Sequence, residues 1–267
     1  MNDAPEMVLQ WLQAARRQGR TLLLMFDYDG TLTPIVEHPD LAVLAPEVRG
    51  VLRGLAEQPG VRIAILSGRS LEDLKRLVQV PGIDYAGCGG LELQLGGVVT
   101  QHPQAAKARA LLSEVRCRLE QRVSPFAGAW IEVKPLGLTV HFREVAEDRV
   151  EALRASLREA LKPGADALRV LPGPAALEIF PEVGWSKGTA VRMMVQHAGQ
   201  GALAPCYFGD HANDASAFEA VAALGGMAVG IGESAPASAR FRLTDSHAVH
   251  DLLASLLEML DRAAQQT

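Results

Sequence analysis

The chain contains 267 residues with a formal net charge of −5, and 48% of its residues are apolar. This length fits one large domain or two smaller ones, and the apolar content can fill a sizeable core. No stripe of Lys and Arg is present, so no nucleic-acid partner is expected. No segment approaches the roughly 18 consecutive apolar residues of a membrane span, so no membrane association is expected. The acidic start, interrupted by Pro5, is unlike a signal peptide.

The three cysteines are widely separated along the chain. Cys88, Cys117 and Cys206 form no CxxC pair. This spacing favours reduced thiols over a zinc site or a disulfide framework, so we expect a cytoplasmic protein. No sequence pattern encodes an oligomeric state, and a monomer is the default expectation.

The first hundred or so residues alternate between helical and strand-like patterns. Residues 5–18 have helical periodicity, and the apolar run at 22–26 predicts a short buried strand. An amphipathic helix is predicted over 46–58 and a second strand over 61–68, followed by a helix that begins at Ser70. Strands that alternate with helices predict a parallel sheet covered on both faces.

The pattern changes near Pro103. Residues 105–122 form one long helical pattern, and 129–144 alternate with period two, which predicts a hairpin. A helix is predicted over 146–161, and a second hairpin is predicted around Pro172-Gly173-Pro174. This middle part therefore predicts the order helix, hairpin, helix, hairpin.

The alternation of helices and strands returns after the second hairpin. A helix is predicted over 186–197, then strands and helices alternate to a last helix that begins near residue 246. The predicted fold class is α/β: a doubly wound, mostly parallel Rossmann-like core with an inserted α+β cap domain. The core would comprise residues 1–102 and 182–267, and the cap would comprise residues 103–181.

Charged and small polar residues follow the predicted strands of the core. In open α/β sheets, ligands bind at the carboxyl ends of the strands, so these groups are expected to share one mouth. The expected members are Asp27, Asp29, Ser67, Lys187, Asp210 and Asp214.

The expected cluster combines several carboxylates with one lysine and one hydroxyl. Carboxylates without His or Cys suit Mg²⁺, and the lysine and hydroxyl suit a phosphate. An Asp can attack phosphorus, and a second carboxylate can transfer the proton. Taken alone, Asp-x-Asp-Gly also fits a turn or a calcium loop, but the EF-hand pattern is incomplete here. Lys187 alone also fits a solvated lysine at a helix start.

The predicted hairpin over 129–144 has one polar and one apolar face. A turn at Leu136-Gly137 would pair Glu132 with His141, Lys134 with Thr139, and Trp130 with Arg143. Period two then places these six residues on one face. The opposite face would carry Ile131, Val133, Leu138, Val140 and Phe142, packed on the cap helices. The polar face fits either solvent or the ceiling of an active site.

Four motifs in this order resemble those of the haloacid dehalogenase superfamily of phosphohydrolases, and within it the trehalose-6-phosphate phosphatase family. DYDGTLTPIVEHPDLA, from residue 27, is similar to the first motif, and LSGRS, from residue 66, to the second. WSKGTA, from residue 185, and GDHANDASAF, from residue 209, are similar to the third and fourth. The resemblance covers nearly the whole chain. It implies a magnesium-dependent phosphatase acting on a small sugar phosphate, with trehalose 6-phosphate as the expected substrate.

The resemblance also implies roles for individual core residues. Asp27 would be the nucleophile and Asp29 the general acid and base. Ser67, Gly68 and Lys187 would bind the phosphoryl oxygens, and Arg69 would contact the substrate. Mg²⁺ would be bound by the Asp27 carboxylate, the Asp29 main-chain carbonyl and Asp210, with Asp214 as a further ligand or close beside the ion.

The family's cap carries Glu-x-Lys followed by His-x-Arg, and EVK and HFR of the hairpin are similar to it. The resemblance therefore implies that the polar face of the hairpin points toward the substrate. It also implies that the cap closes over the core to control water access. The implied substrate-binding residues of the cap are Glu132, Lys134, His141, Arg143 and Glu178.

The chain departs from the family pattern at two places. In GCGGLE, Gly89 stands where the family usually has His. In the fourth motif, His211, Asn213 and Ala215 replace an expected Asp, Thr and Glu, and GDxxND is closer to the general sugar-phosphatase branch. These departures leave open a related glycosyl phosphate as substrate, of the sucrose, glucosylglycerol or mannosylglycerate type.

Two further functions are compatible with parts of the pattern. A phosphosugar mutase also forms an aspartyl-phosphate, but small mutases of this superfamily usually insert their cap between the first two motifs. Here the insertion follows the second motif. A sugar-phosphate sensor on a disabled scaffold would lack a catalytic residue, whereas Asp27, Asp29, Lys187 and Asp210 are all present.

Overall fold

The computed structural model of the protein describes residues 4–173, 175–199 and 201–265. The predicted helices and strands of the first part are confirmed, with ends that differ by no more than two residues. Three short strands after α3 were not predicted. The elements are α1 (Ala4–Arg17), β1 (Thr21–Phe26), α2 (Pro46–Glu57), β2 (Val61–Leu66), α3 (Leu71–Val78), β3 (Asp84–Gly87), β4 (Glu92–Leu95) and β5 (Val98–Gln101).

The middle part has the predicted order of helix, hairpin, helix and hairpin. Its one long predicted helix is interrupted at Ala108, which ends a short first helix. The predicted turn residue Pro174 lies outside the described residues. The elements are α4 (Pro103–Lys107), α5 (Arg109–Val123), β6 (Trp130–Lys134), β7 (Gly137–His141), α6 (Glu147–Leu161), β8 (Leu168–Gly173) and β9 (Ala176–Pro181).

The last part returns to alternating helices and strands, as predicted. Among the described residues, no helix is both long enough and apolar enough to cross a membrane. The elements are α7 (Lys187–Ala198), β10 (Leu203–Gly209), α8 (Ala215–Ala223), β11 (Met227–Ile231), β12 (Phe241–Leu243) and α9 (Ser246–Ala264).

The large sheet has the strand order β12-β11-β10-β1-β2-β3-β4-β5. Its first six strands in this order are parallel, and β4 and β5 form an antiparallel edge. One apolar core packs α1, α2, α3 and α9 on one face, and a second packs α7 and α8 on the other. Apolar strands such as TLLLMF of β1 fit this arrangement because both of their faces are buried.

The strand order reverses between β1 and β10. Strands β2 and β3 follow on one side of β1, and the chain later returns to place β10 on the other side. A crevice at the carboxyl ends of two such strands is the expected ligand site of an open α/β sheet. Asp27 follows β1 and Asp210 follows β10, so both lie at this point.

The four strands from the middle part form a separate antiparallel sheet in the order β6-β7-β9-β8. Helices α5 and α6 cover its apolar face, where Leu138, Val140 and Phe142 are buried as predicted. Val133 does not follow the prediction, because its side chain is exposed.

The register of the β6–β7 hairpin differs from the prediction. Trp130 pairs with His141, and Glu132 pairs with Thr139. The predicted turn at Leu136-Gly137 was wrong, since Pro135 and Leu136 form the loop between the two strands. Leu136 packs in a buried cluster with Cys88 and Phe180, and this contact holds the loop in place. The register is displaced by an even number of residues, so the predicted faces of the two strands are unchanged.

Candidate active site

The loop after β1 places two carboxylates at the edge of the large sheet. The backbone N–H of Asp27 donates to the Phe208 carbonyl of β10 over 2.9 Å, which continues the sheet to the carboxylate. Gly30 has φ +82°, a left-handed conformation that L side chains rarely adopt. A Cβ at Gly30 would also collide with the Asp210 carboxylate, so glycine leaves room for this side chain. The loop therefore brings the acids that follow β1 and β10 together.

Lys187 lies at the first position of α7 and is buried between two of these acids. Its Nζ is 2.8 Å from Oδ1 of Asp27 and 2.7 Å from Oδ1 of Asp214. Burial alone would lower the pKa of Lys187, but the charges of Asp214 and Asp27 outweigh burial and raise it. The prediction that Lys187 lies among the carboxylates is confirmed. The alternative, a solvated lysine at a helix start, is excluded because Lys187 is only 3% exposed.

Asp214 is fully buried and both of its carboxylate oxygens have donors. Oδ1 accepts from Lys187 Nζ and from the Tyr207 hydroxyl, each over 2.7 Å. Oδ2 accepts from the backbone N–H groups of Asp210 and His211 over 3.1 and 3.2 Å. Asp214 therefore orients both Lys187 and the loop that carries Asp210.

The acids of the site repel one another. Burial raises the pKa of Asp27 well above its ordinary value, and the charges of Asp214 and Asp210 add to this effect against the opposing charge of Lys187. Burial and the charge of Asp214 raise the pKa of Asp210 to about 7. A buried cluster of this kind favours a bound cation or proton.

The donor set of this cluster fits Mg²⁺. Asp27, Asp210 and Asp214 each offer a carboxylate oxygen, and these atoms lie within 4.8 Å of one another. Hard oxygen donors suit this ion, and the space beside Gly30 is kept open for Asp210. Asp27 and Asp210 have more free acceptor capacity than Asp214, whose oxygens already accept four hydrogen bonds.

Asp29 lies apart from this cluster and is paired with Arg69. Nε and Nη2 of Arg69 donate to Oδ2 and Oδ1 of Asp29, each over 2.7 Å. Nη2 of Arg69 also donates to the Pro39 carbonyl over 2.8 Å. Arg69 was expected to contact the substrate; it lines the cavity, but its guanidinium is engaged by core groups.

The loop after β2 carries Ser67 and Gly68 to the same mouth. Ser67 is buried, and its hydroxyl accepts from the Arg69 backbone N–H over 3.2 Å. A Cβ at Gly68 would collide with the Glu178 carboxylate of β9. The cap therefore lies directly against the predicted phosphate-binding loop.

The polar face of the cap sheet forms a charged group over this mouth. Lys134 is buried, with its Nζ 3.8 Å from Oε2 of Glu132 and 3.6 Å from Oε1 of Glu178. His141 Nε2 lies 2.8 Å from Oε2 of Glu132. Burial alone would raise the pKa of Glu132, but the His141 hydrogen bond and the Lys134 charge outweigh it and lower the pKa. Asn213 of the core donates to Glu178 over 3.4 Å.

Residues of both the core and the cap line one cavity of about 150 Å³. The polar face of the hairpin, for which both solvent and the ceiling of an active site were possible, lines this cavity together with core residues. Of the predicted site residues, Lys187 and Asp214 do not line it, although Lys187 Nζ lies 2.8 Å from Oδ1 of Asp27, which does. The others line it: Asp27, Asp29, Ser67, Gly68, Arg69, Glu132, Lys134, His141, Arg143, Glu178 and Asp210.

Sequence reasoning missed three side chains that shape the site. Tyr207 lies inside an apolar strand, and its sequence position gives no indication that its hydroxyl reaches Asp214. Asn213 lies within a recognised motif, so its bond to Glu178 could have been suspected. His38 stacks on Trp130 of the cap with ring centroids 5.2 Å apart, a contact between distant parts of the chain.

The trehalose-phosphatase family profile matches residues 25–247, the stretch that contains the residues of this site. The chain belongs to the trehalose-phosphatase family. Relatives include trehalose-phosphate phosphatases of Mycobacterium bovis, 40% identical over 207 residues (76% of this chain, 52% of the relative), and Mycobacterium marinum, 37% identical over 228 residues (83% and 57%). The chain thus spans about half the length of the curated relatives it matches.

Solved structures of the trehalose-phosphatase family share the fold. The C-terminal domain of the Candida albicans trehalose-6-phosphate phosphatase has a TM-score of 0.84 at 22% identity, covering 94% of this chain and 96% of that one. The Aspergillus fumigatus trehalose-6-phosphate phosphatase has a TM-score of 0.65 at 25% identity, covering 94% and 97%. The predicted α/β core of haloacid dehalogenase type is confirmed.

Gly89, one of the departures from the family pattern, lies close to two side chains of the cap. Gly89 has φ +63°, and a Cβ there would lie 3.2 Å from Phe180 and 3.4 Å from Nη2 of Arg169. Arg169 Nη2 also donates to the Gly89 carbonyl over 3.4 Å. Two cap side chains therefore occupy the space beside this glycine, and a larger residue would displace them.

Proposed function

We propose that the protein is a magnesium-dependent phosphatase that hydrolyses trehalose 6-phosphate to trehalose and phosphate. One observation carries the proposal: the polar cap face of Glu132, Lys134 and His141 shares a single cavity with Asp27 and Ser67. The cavity thus joins groups that suit sugar hydroxyls to groups that suit a phosphoryl transfer. The names of the mycobacterial relatives support the same substrate.

In the proposed mechanism, Asp27 attacks phosphorus and the bond from phosphorus to the sugar oxygen breaks. Asp29 gives its proton to the departing oxygen, then takes one from the water that hydrolyses the aspartyl-phosphate. Lys187 and Ser67 bind the phosphoryl oxygens, with the backbone N–H of Gly68 as a further donor. The 2.8 Å contact between Lys187 and Asp27 supports this arrangement.

Asp27, the Asp29 main-chain carbonyl and Asp210 would hold Mg²⁺, with Asp214 beside them. When bound, the ion would offset the repulsion among these acids and the charge of the phosphate. We propose that Asp214 acts mainly by orienting Lys187 and the Asp210 loop, because its oxygens already accept four hydrogen bonds.

Residues 103–181 are proposed to be the inserted cap, and residues 1–102 and 182–267 the catalytic core. The separate sheet of β6–β9 and its own apolar cluster support this division. We also propose a cytoplasmic location, since Cys88, Cys117 and Cys206 are free thiols. A monomer is proposed as the default state.

Phosphate release from trehalose 6-phosphate in the presence of Mg²⁺ tests the proposal. Sucrose 6-phosphate and glucose 6-phosphate provide the comparison, because the changes at Gly89 and His211 favour a related glycosyl phosphate as the second candidate. Turnover of another sugar phosphate without trehalose 6-phosphate would overturn the substrate. The Asp27→Asn variant should retain its fold and bind substrate but release no phosphate; normal turnover would overturn the mechanism.

A further inference from the structure

Arg69 connects the predicted general acid to the segment that follows the catalytic loop. Its guanidinium holds both oxygens of Asp29 at 2.7 Å and the carbonyl of Pro39 at 2.8 Å. The Arg69 side chain is only 10% exposed, and its guanidinium carbon lies 5.4 Å from the centre of the Tyr28 ring. Nε and Nη2 of this planar group therefore meet partners on two sides, which leaves the side chain little freedom to turn.

The segment that carries Pro39 also contacts the cap. His38, the preceding residue, stacks on Trp130 of β6 with a centroid distance of 5.2 Å and an interplanar angle of 14°. Trp130 also stacks on His141, with a centroid distance of 4.2 Å and an interplanar angle of 16°. This ring therefore joins the core segment that carries His38 to the cap sheet.

We propose that Arg69 is a positioning residue for Asp29, and that the stack of His38 on Trp130 ties this position to the closed cap. The inference rests on the proposed function, in which Asp29 transfers the proton. Asp29 would be held for proton transfer when the cap hairpin is seated on His38. Opening the cap would release His38, loosen the Pro39 carbonyl and leave Arg69 and Asp29 less well ordered.

The geometry of the pair is compatible with proton transfer by Asp29. Nε of Arg69 bonds only Oδ2, whereas Nη2 divides its hydrogen bonds between Oδ1 and the Pro39 carbonyl. Oδ1 can therefore leave the pair to carry the proton while Oδ2 stays anchored. In the first half-reaction this proton passes to the sugar oxygen as its bond to phosphorus breaks and the bond from Asp27 to phosphorus forms.

The leaving group distinguishes positioning of the acid from binding of the phosphate. A sugar alkoxide needs the proton to leave, whereas p-nitrophenolate is stable without it, so only sugar phosphates depend strongly on Asp29 in this step. Arg69→Lys keeps the charge but loses the two-pronged hydrogen bonding. We expect kcat and kcat/KM for trehalose 6-phosphate to fall by about 100-fold, and this loss to exceed that for p-nitrophenyl phosphate by at least about tenfold.

Other roles of Arg69 predict different kinetics. An equal fall in kcat/KM for both substrates would mean that Arg69 binds the phosphoryl group, and would overturn the proposal. A raised KM for the sugar phosphate with unchanged kcat would mean a sugar contact, and would also overturn it. Failure of wild-type protein to hydrolyse any sugar phosphate would instead overturn the proposed function. Circular dichroism and the thermal midpoint confirm that the variant is folded.

The link to the cap is tested by removing the stacking ring. His38→Ala should lower kcat for trehalose 6-phosphate by about threefold to tenfold, because it weakens a contact that acts through Arg69. His247→Ala, an exposed histidine on α9, is the matched control and should leave kcat unchanged. The double variant His38→Ala/Arg69→Lys should be no slower than Arg69→Lys alone. If the fold-loss of kcat in the double variant equals the product of the two single losses, the link between His38 and Arg69 is overturned.

Discussion

The Nζ atom of Lys187 is 2.7 Å from Oδ1 of Asp214, and both side chains are buried. The Tyr207 hydroxyl donates to the same oxygen. Asp214→Asn would remove a buried charge opposite Lys187 and present an amide to groups that are all donors. We expect the free energy of unfolding to fall by about 3–5 kcal/mol, as measured by urea denaturation.

Glu219→Gln is the control for this substitution, because Glu219 lies on neighbouring α8 and is exposed. It makes the same change from carboxylate to amide at the surface. We expect its effect to stay within about 0.5 kcal/mol. Equal stability of the Asp214 variant and the wild type would show that the buried pair contributes nothing to the fold.

The second prediction concerns the space beside the Asp210 carboxylate. Gly30→Ala would place a methyl group against that carboxylate at a residue with φ +82°. Because Asp210 would have to move, we expect the Mg²⁺ concentration that gives half-maximal activity to rise, together with a smaller Mg²⁺-induced increase in thermal midpoint. Activity titrations and thermal melts in Mg²⁺ measure these effects.

Gly50→Ala is the matched control, since nothing lies within 4 Å of a Cβ at this position in α2. It should leave the Mg²⁺ requirement unchanged and stabilise the helix by about 0.5–1 kcal/mol. An unaltered Mg²⁺ requirement in the Gly30 variant would contradict the placement of the ion between Asp27 and Asp210.

The convergence of the core residues could be predicted from the sequence. Asp27, Ser67 and Asp210 each follow an apolar strand, and parallel strands end at one edge of a sheet. Period two likewise determined the faces of the β6–β7 hairpin, because a register error of two residues leaves each side chain on the same face. These features depend on local periodicity, which a single sequence contains.

Contacts between distant segments could not be predicted in this way. Leu136 shifted the hairpin register because it packs on Cys88 and Phe180, and a local pattern does not reveal that pocket. The pairing of Arg69 with Asp29 joins two motifs whose residues were given separate roles, Asp29 in proton transfer and Arg69 in substrate contact. The Tyr207 hydroxyl reaches Asp214 only because β10 and the following turn bring them together.

The third prediction is a loss of stability at alkaline pH. Burial raises the pKa of Tyr85 from its ordinary value of 10 to about 12 in the folded protein. Between these values the unfolded chain has lost the proton and the folded chain keeps it, so stability is complete below pH 10 and falls as pH rises toward 12. The contribution of Tyr85 is about 2–3 kcal/mol across this window. Denaturant unfolding at several pH values measures it.

Tyr85→Phe separates this effect from the other buried tyrosines. It removes the ionisable hydroxyl together with its 3.3 Å hydrogen bond to the Val80 carbonyl. We expect the variant to be less stable near neutral pH, and its stability to decline less steeply above pH 10 because one titrating group is gone. Some decline should persist, because burial also raises the pKa of Tyr28 to about 12 and that group remains. A decline as steep as that of the wild type would contradict the assignment to Tyr85.

The last prediction tests whether the buried ammonium of the cap serves the sugar or the phosphate. Lys134 lies between Glu132 and Glu178 and is 8% exposed, so its charge is held where a bound sugar phosphate would meet the cap. Loss of one charged hydrogen bond costs about 1.5–3 kcal/mol, which corresponds to a rise of about 10–100-fold in KM for trehalose 6-phosphate in Lys134→Met. The KM for p-nitrophenyl phosphate should change far less, since that substrate has no sugar to reach the cap.

Lys162→Met, at an exposed cap lysine, is the control and should alter neither value. Equal increases of KM for both substrates would place Lys134 on the phosphate, and no increase would remove it from the binding site.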